Sequence, residues 1–413
     1  MTVDGATRAL LAECLRAYGG SHRATHLLGG HLRGFDGPVR IAVTGPAGAG
    51  SSTLADALAG SRTLRDTTIL DGGGSNGAAW TDGAAGAAWT DGAAGADPPA
   101  DAVLQLIRNR RDPEPEAAPP QAAVGTIAVL CRSDELGAGR IDALTSGRRL
   151  ARRYSRDPEL RSRCQTVVAV AGLVAHAGRS LTDEEFAALD ALSRCGRPEL
   201  DGLLLSADRF VRADTLGPLE PGIRGHLLDR LGLFGVRLST TLIRSGTNTH
   251  QLLAAELVRR SGLVELRESI RRYFVDRGAV LKARSALATI EVVLRAEPHP
   301  GAMRLAAELE RVLAGAHEFR ELRLLSAVDG DPRLLGERTA EARRLAGGAG
   351  IGVAERLGID RPTGDAEIWH TTMDALRRWQ EVADDPRGTA DARRAARIVV
   401  RSCEGLLAAV RSG

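Results

Sequence analysis

Residues 38–60, Pro-Val-Arg-Ile-Ala-Val-Thr-Gly-Pro-Ala-Gly-Ala-Gly-Ser-Ser-Thr-Leu-Ala-Asp-Ala-Leu-Ala-Gly, restrict the folds open to this chain more than any other stretch. The run Val39 to Val43 reads as a buried strand, Gly45 to Gly50 as a glycine-rich turn, and the Ala/Leu-rich segment from Ser51 as a helix. Strand, glycine loop and helix N-terminus in that order aim backbone N–H groups at an anion, the architecture of a phosphate-binding P-loop. Gly45 and Gly50 keep the GxxxxGK[ST] spacing, with Gly48 inside the turn and Thr53 just beyond it. Ser52 stands where the Mg²⁺-binding hydroxyl belongs, but the lysine position is Ser51. That lysine places a point charge on the β- and γ-phosphates. Losing one preorganised donor at a developing charge typically costs about 3–4 kcal/mol. The chain's one lysine, Lys282, lies far downstream. A nucleotide-phosphate site with weak or absent hydrolysis is therefore expected, with no catalytic residue assigned. An arginine such as Arg40 or Arg132, or a second subunit, is the alternative source of the missing charge.

With 413 residues the chain can hold more than one domain, and 43% hydrophobic with 26% charged residues is the balance of a soluble globular protein. A dispersed net charge of +3 gives no ground for a nucleic-acid partner. No apolar run approaches the ~20 residues of a membrane span. Thr7 to Leu15 carries Arg8 and Glu13, unlike a signal peptide. The expected location is cytoplasmic, with peripheral contact at the inner face of the cell membrane left open. The five cysteines are scattered without C-x-x-C spacing and read as buried thiols.

Helical spacing marks residues 3–17 and 24–32, before the first strand. Further strands are expected at Asp66 to Leu70, Ala102 to Ile107, Thr126 to Leu130 and Thr166 to Val170. Between the first two of these, Gly-Ala-Ala-Trp-Thr-Asp-Gly-Ala-Ala occurs twice, at 77–85 and 86–94, and reads as a duplicated low-complexity loop. The same interval would hold the switch threonine and Asp-x-x-Gly of a GTPase. The segment considered, Asp97-Pro98-Pro99-Ala100, lacks the glycine. Thr126 to Leu130 leads into Cys131-Arg132-Ser133-Asp134, where Asp134 holds the register of the base-reading aspartate of Asn/Thr-Lys-x-Asp and Arg132 replaces the lysine. The plainer alternative for Asp134 is the N-cap of a helix beginning near Arg140. His176 is read as a loop residue, and Thr182-Asp183-Glu184-Glu185 as a capped helix start. From Pro198 onward only helical periodicity is found, including one pattern from Leu263 to Leu294 that would run roughly 45 Å.

The segments Arg132-Ser133-Asp134-Glu135-Leu136-Gly137-Ala138-Gly139-Arg140-Ile141-Asp142, Leu205-Ser206-Ala207-Asp208-Arg209-Phe210-Val211-Arg212, Leu233-Phe234-Gly235-Val236-Arg237 and Arg260-Ser261-Gly262-Leu263-Val264-Glu265-Leu266-Arg267 carry a family resemblance. The chain resembles the bacterial dynamin-like proteins, in their actinobacterial, isoniazid-inducible branch. The resemblance reaches from the first helix to about Arg361, is specific over 124–330 and is interrupted at 60–100. It implies α/β plus all-α architecture: N-terminal helices joining the bundle at 1–36, a degenerate P-loop GTPase-like domain at 37–197 with a low-complexity insert at about 71–100, and an elongated helical bundle at 198–413. It further implies GTP and Mg²⁺ as ligands. Gly45, Gly48, Gly50, Ser51, Ser52 and Thr53 would lie on the phosphates, Ser52 on the metal, and Arg132 and Asp134 on the guanine. The implied partner is a paralogous dynamin-like GTPase or a second copy of the chain, acting in membrane remodelling or maintenance. Two other readings are a slow but genuine GTPase and a nucleotide-independent helical scaffold.

Overall fold

The computed structural model describes residues 2–61, 64–71, 100–109, 122–136, 142–161, 163–212, 219–331, 333–359 and 364–412. The repeat at 77–94, Asp97-Pro98-Pro99 and residues 137–141 of the first resemblance segment lie outside them.

Five parallel strands form one sheet in the order β2-β1-β3-β4-β5: β1 Val39–Thr44, β2 Thr67–Asp71, β3 Ala102–Ile107, β4 Thr126–Leu130 and β5 Val167–Ala169. β1, β3, β4 and β5 are short, largely buried apolar runs because both faces of a parallel sheet are covered, whereas β2, at the edge, is half-buried to exposed. Val39, Ile41 and Val43 face α3 (Ser51–Leu58), whereas Ala128, Leu130, Val167 and Ala169 pack on the opposite side against α4 (Ala143–Tyr154) and the short α5 (Pro158–Arg161). From β1 the chain adds β2 on one side and then β3 on the other. The carboxyl end of β1 is thus a switch point in strand order, where open α/β sheets leave a ligand crevice.

Helices α6 (Gly172–Ser180) and α7 (Asp183–Ser193) follow β5. Thr182 and Glu185 form the expected capping box at the start of α7, each side chain accepting from the other's backbone N–H. His176 lies within α6, not in a loop, with Nδ1 2.8 Å from an Arg230 nitrogen. Beyond α8 (Arg197–Leu203) and α9 (Ala207–Arg212), the described chain is helical, as its periodicity predicts: α10 Pro221–Arg244, α11 His250–Arg260, α12 Leu263–Ile270, α13 Gly278–Ala296, α14 Ala302–Gly315, α15 His317–Gly330, α16 Thr339–Leu345, α17 Val353–Leu357, α18 Asp365–Asp384 and α19 Ala390–Ser412. The continuous helix expected over Leu263 to Leu294 is interrupted. After α12 a π-turn at Arg271–Val275 carries Tyr273 and Phe274 into the core before α13 begins. A π-turn keeps an apolar residue every three or four positions, so periodicity alone passes over it.

The helices do not stand apart from the sheet. One buried cluster runs from Ile41, Leu104 and Val129 through Ile270 and Phe274 to Leu325, Trp379 and Cys403. A second joins α1 (Val3–Ala17) and α2 (His22–Gly34) to α13 and α14, through Leu10, Leu11 and Leu28 against Ile290 and Leu305. At the amino end of β1, Lys282 of α13 donates its Nζ hydrogens to the carbonyls of Phe35 (2.9 Å) and Gly37. Inside the helical half, Glu321 is 2% exposed and meets Arg277 (Nη1–Oε2 3.5 Å), Arg356 and the Ser402 hydroxyl (2.7 Å).

Candidate functional site

Every strand delivers its last residues to one edge of the sheet, and the glycine loop turns there. Gly45 packs so closely on β3 that a Cβ would sit 2.6 Å from Cβ of Leu106. Gly48 (φ 72°) and Gly50 (φ 90°) take left-handed conformations that glycine adopts without a side-chain penalty. Gly50 is also the residue at which α3 opens. This is the sequence-predicted loop, built as a tight strand-to-helix turn.

A cavity of about 250 Å³ lies beside it. Gly48, Gly50 and Thr53 form its loop side, and Arg132 and Asp134 its far side, with Val170, Gly172 and Leu173 from the β5–α6 junction between them. Five of the eight predicted binding residues are therefore brought around one space. The other three, Gly45, Ser51 and Ser52, do not line it: Gly45 is packed on Leu106, Ser51 is half-buried and Ser52 is exposed in the first turn of α3.

Asp134 sits in a 3₁₀ turn, Ser133–Glu135, entered through Arg132, the non-glycine residue found at positive φ (52°) among the described residues. Such strained positions persist where the surroundings over-determine them. Here α4 supplies the surroundings: Gly147 comes so near that a Cβ on it would lie 2.8 Å from Cβ of Ser133. Asp134 is 8% exposed, and burial pushes its carboxyl above the usual carboxylate range, its own backbone N–H offsetting part of that. Arg132 turns to Glu135 (3.3 Å). A buried carboxylate on a cavity wall favours a ligand that presents N–H donors, as the Watson–Crick edge of guanine does. Among the described residues the N-cap position of the following helix belongs to Asp142, before Ala143, and not to Asp134.

Tertiary structure also moves the candidate cations. Arg40 is the second residue of β1, about 13 Å in strand rise from Thr44. Its N–H bonds Asp101 Oδ2 (2.9 Å) at the edge away from the loop. Lys282 lies at that same edge. The arginine at the loop is Arg108, the first residue after β3, whose Nη2 donates to the carbonyl of Ala47. Sequence reading passed over it, although a basic residue directly after an apolar strand was the available signal. A second omission is Asp71. It ends β2 in register with Val43, and the sequence continues Gly72-Gly73-Gly74, which has Asp-x-x-Gly spacing. Asp97-Pro98-Pro99-Ala100 lies beyond the repeat, whereas the strand beside β1 ends before it. No group of three or more His, Cys, Asp or Glu side chains suited to a metal occurs among the described residues. A cation here would rest on Ser52, an acidic neighbour such as Asp71 and the phosphates themselves, which is how Mg²⁺ is commonly held.

No protein-family profile and no solved structure matches the chain. Two curated proteins do. The similarity is to the isoniazid-induced protein IniC. The proteins of Mycobacterium tuberculosis strains CDC 1551 / Oshkosh and ATCC 25618 / H37Rv are each 38% identical to it over 287 residues, 69% of this chain and 58% of the relative. The chain thus spans a little over half the length of the IniC proteins it matches.

Two of the resemblance segments have a packing role visible here. The Ser261 carbonyl accepts from Ala171 N (2.9 Å), and Gly262 (φ 88°) approaches β5 so closely that a Cβ would fall 2.0 Å from the Ala169 carbonyl oxygen. Segment 260–267 thereby buttresses the strand end that forms the cavity floor. Arg237 in turn donates to the Leu204 carbonyl (2.9 Å), tying α10 to the turn before α9.

Proposed function

We propose that this chain is a dynamin-like protein with a degenerate guanine-nucleotide site, non-catalytic or weakly active. In this reading it binds GTP with Mg²⁺, partners a competent paralogous dynamin-like GTPase or a second copy of itself, and works in the cytoplasm with peripheral membrane contact. The observation that carries the reading is the cavity shared by the glycine loop and buried Asp134, beside a loop whose lysine position is Ser51. The loop N–H groups and Thr53 would hold phosphate oxygens. Asp134 would accept from the guanine N1 and N2 hydrogens, and the Arg132 stem would cover the base. Bound Mg²⁺ supplies charge neutralisation on the β- and γ-phosphates, with Ser52 as its protein hydroxyl. Similarity to IniC and the absence of any described helix long and apolar enough to cross a membrane are compatible with this setting.

A slow but genuine GTPase is the second reading, favoured by Arg108 on the loop and by Asp71 at the neighbouring strand end. The test for both is equilibrium binding of a fluorescent GTP analogue, with and without Mg²⁺ and with ATP as competitor, followed by turnover alone and with a paralogous GTPase. Saturable, guanine-selective binding is expected, and its absence up to millimolar nucleotide would refute the site. Turnover by the isolated chain that disappears in Arg108→Ala would select the second reading. Gly45→Ala is not a neutral probe, since the added Cβ collides with Leu106 whether or not nucleotide binds.

A further inference from the structure

Away from the nucleotide cavity, α15 and α19 wall a second, larger cleft of about 660 Å³. It lies toward the amino edge of the sheet, where the Ser326 hydroxyl of α15 donates to the Gln165 carbonyl (2.7 Å) just before β5. Arg320 and Arg323 line one wall and Arg394, Arg397 and Arg401 the other, with Arg161 at the floor. The spacing 394, 397, 401 puts three guanidiniums on one stripe of α19. Like charges at that spacing destabilise a helix unless something neutralises them. Among the described residues, the lining of the cleft itself offers two aspartates as counter-charge, Asp331 and Asp391. Arg394 reaches Asp391 only at 3.8 Å, Arg401 pairs with exposed Glu404 at 2.9 Å, and neither exposed pair contributes much. Arg397 and Arg161 have no side-chain partner among the described residues. His317 also lines the cleft, with Nε2 on the Ser402 hydroxyl (3.0 Å) and a buried Nδ1 that lacks a hydrogen-bond partner.

We propose that this cleft binds a phosphate polyanion, a ligand presenting two or more phosphate groups to facing rows of arginine. Guanidiniums match phosphate oxygens bidentately, and two facing rows reward a ligand that spans them over a monovalent anion. The volume suits a small organic or inorganic polyphosphate. Clustered phosphate headgroups of an anionic bilayer offer the same chemistry, so the test separates the sources.

The full-length chain is titrated calorimetrically with sodium tripolyphosphate at 50 and 200 mM salt, as wild type and as Arg397→Glu, Arg320→Glu and Arg377→Glu. Arg377 is an exposed α18 residue outside the cleft, so its variant carries the same change in net charge. All three altered positions are exposed, and an unchanged melting temperature checks the fold. Binding that weakens with salt, falls at least tenfold in both cleft variants and stays within about twofold in Arg377→Glu is expected. Equal losses in all three variants, no loss in the cleft variants, or no binding to either probe would overturn the proposal. In the second arm, phosphatidylglycerol–phosphatidylcholine vesicles are sedimented with the same proteins. Arg397-dependent co-sedimentation that tripolyphosphate displaces assigns the headgroups as the source, and tripolyphosphate binding without co-sedimentation assigns a soluble ligand.

Discussion

Removing the Glu321 carboxylate tests the helical core most directly. The side chain sits where α13, α15, α17 and α19 converge, taking Arg277, Arg356 and Ser402 around one carboxylate. The two cations differ in their escape routes. Arg356 keeps a side chain 14% exposed and can swing toward water, whereas the Arg277 side chain is 4% exposed and enclosed. Burial already pulls the Arg277 guanidinium below its ordinary range, the Glu321 charge opposing that. Glu321→Ala therefore strands one buried charge, and breaking such a pair costs about 3–5 kcal/mol. The long Arg277 contact of 3.5 Å places the expectation near ~3 kcal/mol. Replacing both partners, as in Glu321→Leu with Arg277→Met, removes the charge along with its counter-ion and should return stability to within about 1 kcal/mol of wild type. Urea denaturation followed by circular dichroism reads both, with midpoints compared at constant slope. A loss below ~1 kcal/mol for Glu321→Ala, or a double variant no better than the single one, would refute the account of this hub.

Asp134→Asn should exchange guanine for xanthine preference in nucleotide competition, since an amide donates where the carboxylate accepted and xanthine carries an acceptor at C2. The same variant tests linkage. Because burial raises the Asp134 pKa, its share of stability is complete below the unfolded carboxyl value of about 3.9 and lost as pH rises through the higher folded value. Asp134→Asn should thus be more stable than wild type at pH 7 and converge with it in acid, as urea midpoints across pH 3–7 would reveal, while wild-type GTP affinity falls as acid protonates Asp134. Lys282→Met leaves the Phe35 and Gly37 carbonyls without their donor and should cost about 1–3 kcal/mol, seen as a lower urea midpoint with nucleotide affinity intact. Gly262→Ala forces a Cβ into the Ala169 carbonyl at a left-handed φ, so thermal melting should show a loss of more than ~2 kcal/mol or no folded protein.

What the sequence determined by itself is local. The apolar run before Gly45, the glycine spacing, the β4 end carrying Asp134 and the capping box at Thr182 each depend on residues a few positions apart, and each occurs where spacing places it. Helical periodicity after Pro198 was equally legible, because one face of each helix must be buried. Partners distant in the chain were decided only by tertiary structure. A parallel sheet takes its neighbours through crossovers, and nothing in β2 announces that it lies beside β1, so the meaning of Asp71 waited for strand order. Likewise Arg40 and Lys282 were set at the wrong edge for phosphate and Arg108 at the right one by strand direction, which a one-dimensional search for basic residues does not contain. In an arginine-rich chain no single arginine stands out in sequence. Only the packing that brings α15, α19 and the end of α5 together turns six of them into one basic cleft, because long-range potential depends on distance in space and not along the chain.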